Sequence, residues 1–251
     1  MERHQHIDAL TRDGKLLAGA AQRAGLEAAV PTCPPWQVKD LLRHLGYVHR
    51  WARAHVAEAA EEMVDGPPEE EVLESGPDDA ELLGWFRDGH AALVETLRSA
   101  DPGLSCWTFL DAPSPLAFWA RRQAHETAIH RVDAELAAGV LTPVAAHFAA
   151  DGIDELIMGF APREMAEPSP ADGGTLQVRA TDSDDKWLIA LGPRVVVARA
   201  SARADCVVAG RAANLYLLLW NRLAAADAAV SITGDTGVLR IWQSSMRVRW
   251  E

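Results

Sequence analysis

The chain has few cysteines, little positive charge and no long apolar run, and each shortage removes a class of protein. Its three cysteines, Cys33, Cys106 and Cys206, are odd in number and widely spaced, with no C-x-x-C pair. That pattern fits neither a disulfide framework nor a zinc knuckle. No stretch reaches the ~18 uninterrupted apolar residues that a spanning helix requires. The opening MERHQHIDAL lacks the apolar region and cleavage site of a signal peptide. A soluble cytoplasmic protein with no membrane partner is therefore expected. Thirty-six acids stand against 24 bases, a net charge of −12. Nucleic acid, whose phosphates need a concentrated positive surface, is a poor partner for it. G-x-S-x-G, G-x-x-x-x-G-K-[ST] and G-x-G-x-x-G are also absent, so nothing points to a nucleophile elbow, a P-loop or a dinucleotide fold.

What remains has the balance of a globular protein, 49% hydrophobic and 24% charged. Its 251 residues suit one large or two modest domains. The first part reads as helices. His4 to Arg23 carries a stripe at Ile7, Leu10, Leu17 and Ala21. A second helix is expected to open within Thr32 to Trp36, with proline in its first turn, and to run to about Met63. Breakers make Asp65 to Asp78 a long loop, and Asp79 to Ser99 a third helix. After a turn-rich loop, a fourth helix spans about Leu116 to Ala138 and stops at Gly139. A short helix, Val144 to Phe160, leads into the Pro/Gly/acid stretch Ala161 to Gly174, a linker by composition. Beyond it come β-prone runs at Thr175–Ala180, Trp187–Leu191, Val195–Ala200, Cys206–Val208, Ala229–Ile232 and Val238–Trp242. One helix, Ala212–Leu223, is inserted among them. The expected fold is α+β: a helical bundle over 1–164, then a small α/β domain over 165–251.

Candidate chemistry concentrates in FWARRQAHETAIHRVD, Phe118 to Asp133. Glu126 and His130 are four apart and share a helix face. A carboxylate and an imidazole so placed can bind one metal ion inside a bundle, although an isolated E-x-x-x-H more often marks a surface pair. His44 lies beside the apolar run Leu41, Leu42, Leu45 and Val48, where a satisfied core histidine is the ordinary alternative. If a bundle brings the three together, they supply two nitrogens and one oxygen and leave a position open, the pattern of catalytic zinc. Asp40 and Asp133 could hold the imidazole tautomers from behind, or be ordinary surface acids. His49 and His55 are read as solvent-facing, and His4 and His6 as lying on a mobile terminus. Cys33, before a proline at a helix start, is read as packing or capping rather than as a nucleophile.

Three segments together resemble a known family: VPTCPPWQVKDLLRHLGYVHRWA (Val30 to Ala52), FWARRQAHETAIHRVDAELAAG (Phe118 to Gly139) and NLYLLLWNR (Asn214 to Arg222). They are similar in order and spacing to the mycothiol-dependent maleylpyruvate isomerases, and the resemblance covers nearly the whole chain. It implies a DinB-like four-helix bundle followed by a small α/β domain. It also implies that His44, Glu126 and His130 ligate a divalent metal, usually zinc, and that Arg222 is needed for activity, holding an anionic substrate. A planar guanidinium suits a carboxylate, though an arginine ending a helix in water fits the same residue. Gln37 and Asn221 depart from the family pattern. The implied partners are mycothiol and a small electrophile, with a monomer as the default state. A thiolate added to a conjugated double bond gives cis–trans isomerisation if it leaves again and S-transfer if it stays. A metal-dependent hydrolase on the same site and a non-catalytic metal- or thiol-binding protein are the alternatives.

Overall fold

Apolar residues at helical spacing build four long helices, and these form the core of the first half of the computed structural model: α1 (Arg3–Ala24), α2 (Val38–Ala57), α4 (Asp79–Ser99) and α5 (Pro115–Ala137). The structure describes residues 1–74, 76–165, 173–246 and 248. The chain divides into two compact units, Met1–Thr142 and Pro143–Trp250. In the first, Leu10, Leu17, Leu41, Leu42, Leu45, Leu82, Phe86 and Trp119 are fully buried. Each such side chain contributes roughly 1.5–3 kcal/mol relative to an exposed one. Small residues let the helices close on one another. A Cβ on Gly14 would meet the His90 ring at 2.2 Å, and one on Gly46 the Trp85 ring at 2.1 Å.

Several boundaries differ from expectation. The Pro34–Pro35 pair lies in turns ahead of α2 rather than in its first turn, and Gln37 is the N-cap. Its side chain and that of Asp40 form a reciprocal capping box. The helix stops at Ala57, short of Met63, and Ala59 takes a positive φ of 50°. Within the expected loop Asp65–Asp78, a short helix α3 (Glu69–Glu74) forms. Helix α5 is buried around most of its circumference, and that burial takes in Arg122, Gln123, Thr127, His130, Arg131, Asp133 and Glu135. Buried polar groups must be paired, so this helix is where interior chemistry has to lie.

The second unit opens with α6 (Ala146–Asp154), a π-helical turn (Glu155–Phe160) and α7 (Ala161–Glu164). The two compact units meet in sequence at Thr142/Pro143. Proline- and glycine-rich composition marks an end of regular structure, not the limit of a core, and Phe148, Ile153 and Ile157 are buried on the far side of the boundary. Of the expected linker Ala161–Gly174, residues 166–172 lie outside the described residues. Five strands follow in the order β3-β2-β1-β4-β5: β1 (Thr175–Ala180), β2 (Lys186–Ala190), β3 (Val196–Ala198), β4 (Cys206–Gly210) and β5 (Ser231–Gly234). β1 and β4 are parallel, with Val178 opposite Val208, and the other pairs are antiparallel. The fold is α+β.

Helix α8 (Ala212–Leu219) ends four residues before the expected Leu223. Asn221 adopts φ 58°, the Arg222 N–H bonds Leu217 O (2.7 Å) and the Asn221 N–H bonds Leu218 O (3.1 Å). These bonds form a Schellman stop with asparagine in the left-handed position. Val238–Trp242, expected as a strand, lies in helix α9 (Thr236–Ser245). The side chain of Asp235 caps it through Gly237 N, and Val238, Leu239 and Trp242 are buried at helical spacing.

Candidate metal centre

Helix α2 contributes His44, and α5 contributes Glu126 and His130, one turn apart. The two imidazoles converge on one carboxylate oxygen: His44 Nε2 lies 3.6 Å and His130 Nε2 3.3 Å from Glu126 Oε1. Ligand atoms of all three residues lie within 4.8 Å of one another. Donors bonded at about 2.1 Å in a tetrahedron stand about 3.4 Å apart, so this set has the spacing and chemistry to hold a divalent ion such as zinc. The side chains of His44 and His130 are 7% and 9% exposed and that of Glu126 13%, so the cluster lies largely out of water.

Neighbouring groups orient these donors. The Nδ1–H of His130 donates to Asp133 Oδ2 at 2.9 Å, which aims Nε2 at Glu126. Asp133 is fully buried and also accepts from Thr32 Oγ1 (2.5 Å) and Cys33 Sγ (3.5 Å). Arg122 donates to Glu126 Oε2 at 2.9 Å. The Trp36 indole lies against both rings, with centroids 4.9 Å from His44 and 6.3 Å from His130. Burial alone would strip His130 of its proton, but the Asp133 and Glu126 carboxylates outweigh it and raise its pKa to about 9. Burial likewise opposes charge on Glu126, yet His130, His44 and Arg122 hold it well below the usual carboxylate range. The proton on His130 thus stands where positive charge is favoured.

The sequence-derived candidates separate on this geometry. His44, Glu126, His130 and Asp133 come together. Asp40 serves its own helix: Oδ2 accepts from the Gln37 N–H (2.9 Å) and Oδ1 lies 3.9 Å from Arg43. Arg222 belongs to the second unit. There it follows the Schellman stop, off the helix, and its Nη1 donates to Trp220 O (2.9 Å). Asn221 has a structural task, since its amide donates to Gln243 O (3.1 Å) and Met246 O (3.3 Å) at the end of α9.

Burial corrects the other histidine readings. His6, His49 and His55 are all buried, not mobile or solvent-facing. His55 Nδ1–H donates to Trp51 O (2.9 Å), and its Nε2 accepts from the Val64 N–H (3.0 Å). His49 Nε2 hydrogen-bonds Thr127 Oγ1 (2.9 Å), and His90 Nε2–H donates to Leu10 O (2.9 Å). Sequence reasoning missed Arg122, Thr32 and Trp36. The i,i+4 spacing to Glu126 was a signal for Arg122. The other two sit in a loop whose path no periodicity reveals.

Comparison with known proteins agrees in both units. A family model described as the mycothiol maleylpyruvate isomerase N-terminal domain matches residues 7–135, and one described as the MDMPI C-terminal domain matches 147–240. Two similar solved structures are those of mycothiol-dependent maleylpyruvate isomerase and of its histidine-to-alanine mutant. They have TM-scores of 0.65 and 0.67, 12% identity and 93% coverage of either chain in each case. At that identity the likeness speaks for the fold. No curated protein matches the chain.

Proposed function

Because the chain belongs to the mycothiol maleylpyruvate isomerase family, we propose that it is a mycothiol-using isomerase in which His44, Glu126 and His130 hold a divalent metal, zinc by preference of the donor set. The observation that carries this reading is the convergence of His44 Nε2 and His130 Nε2 on Glu126 Oε1. A divalent ion held there supplies a Lewis acid that favours the thiolate form of a bound thiol.

The chain's own residues prepare that site. Asp133 keeps the proton of His130 on Nδ1 and so leaves the Nε2 lone pair for a cation. Arg122 occupies Glu126 Oε2 and leaves Oε1 directed at the two imidazoles. The substrate class is a small electrophile with a cis double bond conjugated to a carbonyl. Thiolate adds to one alkene carbon, the former double bond rotates as a single bond, and elimination returns the thiolate and the trans alkene. Arg222 is the group we assign to a substrate carboxylate, which a guanidinium can bind through two parallel hydrogen bonds. Retention of the adduct would make the same chemistry an S-transfer.

Incubating the zinc-loaded protein with mycothiol and maleylpyruvate, and following cis and trans isomers by NMR, tests the reading. Turnover that requires thiol and metal and disappears in His44→Ala is expected. A stable thioether adduct would redirect the assignment to S-transfer, and no reaction under any of these conditions would overturn it.

A further inference from the structure

We propose that Thr32 is a positioning residue for the metal centre, acting through Asp133 on His130. This rests on the metal reading of His44, Glu126 and His130. The loop that carries Thr32 is closed by its own backbone: Val30 N–H to Trp36 O (2.9 Å), Cys33 N–H to Val30 O (3.1 Å) and Trp36 N–H to Cys33 O (2.8 Å). A bridge between Ala29 and Gln37 ties its ends. From this one bracket come three contacts with the site: Thr32 and Cys33 on Asp133, and Trp36 on the faces of both imidazoles.

Asp133 is the link. Its carboxylate is fully buried, where an ionised group needs hydrogen bonds to persist. Thr32 Oγ1 holds Oδ1 at 2.5 Å and His130 Nδ1 holds Oδ2 at 2.9 Å. The terminal torsion of aspartate is broad and close to two-fold, so the carboxylate plane is set by what its oxygens bond. With the Thr32 hydroxyl present, Oδ2 stays in line with His130 and the ring keeps Nε2 on the metal side. Without it, Oδ1 loses its hydroxyl donor, Cys33 Sγ remains on Oδ2 (3.5 Å), and the acceptor that His130 needs is held less firmly in line. Thr32 lies 101 positions before Asp133 in sequence, so the bracket makes the loop ahead of α2 part of the site.

The test compares Thr32→Val, which keeps the shape and removes the hydroxyl, with Thr32→Ser, which keeps the hydroxyl. Zinc affinity is measured by competition with a chromophoric chelator, alongside the melting temperature of each metal-free protein. The valine variant should bind zinc about 10- to 100-fold more weakly, the usual loss for a group supporting a ligand. The serine variant should recover most of the affinity while the metal-free melting temperatures stay close. Thr32→Ala repeats the comparison without added bulk if the valine variant does not fold. Unchanged affinity in the valine or alanine variant overturns the proposal and leaves the metal reading standing. Equal weakening in the serine variant, with a lower metal-free melting temperature, assigns Thr32 a merely structural role and overturns it as well. If the natural chain binds no zinc, the metal reading fails and the proposal with it.

Discussion

Two sets of buried histidines share the helical unit, and their surroundings send them in opposite directions. His44 and His130 meet carboxylates: Glu126 stands between them and Asp133 behind His130. His49, His55 and His90 hydrogen-bond neutral groups: a threonine hydroxyl, backbone carbonyls and a backbone amide. Burial opposes a charge on His130 as it does on the second set. It prevails in the second, lowering the pKa of His49, His55 and His90, whereas Asp133 and Glu126 lift His130 to about 9. Burial of a histidine therefore says little about function. A convergent anionic partner, itself braced by Arg122 or Thr32, is what distinguishes the site.

Removing a member of the first set should have the largest effect on metal binding and removing one of the second none. His130→Ala is expected to weaken zinc binding by more than about 100-fold, beyond the usual loss for a supporting residue, as read by chelator competition. His55→Phe should leave zinc affinity unchanged. It strands the Val64 N–H that now bonds His55 Nε2, a cost of about 1–3 kcal/mol in denaturant unfolding. If instead it released zinc, the division between the two sets would fail. Gly14→Ala probes the second set from the other side. Its Cβ would fall against His90, displace the bond to Leu10 O and destabilise the unit by about 1–3 kcal/mol, again with zinc binding intact.

The smallest expected effect is on pH dependence. A histidine whose pKa is lower in the folded than in the unfolded chain binds its proton mainly after unfolding. Stability is therefore lost as pH falls below about 6.5, the ordinary histidine value. His130, its pKa raised to about 9, works in the opposite sense over the same interval, so the comparison is made against a variant: metal-free His55→Phe should lose less melting temperature from pH 7 to 5 than the natural chain. A variant slope as steep as the natural one would contradict the neutral environment of His55.

Much of this architecture was legible beforehand. The four long helices follow from apolar stripes, and E-x-x-x-H at Glu126 and His130 is visible because a helix fixes which residues share a face. Pairing them with His44 required both a bundle and the family resemblance. The second unit was less readable. Val238, Leu239 and Trp242 suit either a short strand or a helix, and the Asp235 cap decided for the helix. The end of α8 hinged on a left-handed Asn221, which composition does not announce. Thr32 and Trp36 were invisible as site residues because they reach it through a loop closed by backbone hydrogen bonds, and backbone bonds leave no pattern in side-chain identity.

The central claim is that three side chains from α2 and α5 form a metal centre, and metal content tests it most directly. Elemental analysis of the natural chain should find about one zinc per chain, the stoichiometry of a three-donor open site. A His44→Ala, Glu126→Gln, His130→Ala triple variant should hold none. Equal zinc in both proteins, or none in either after zinc is added, would contradict the account.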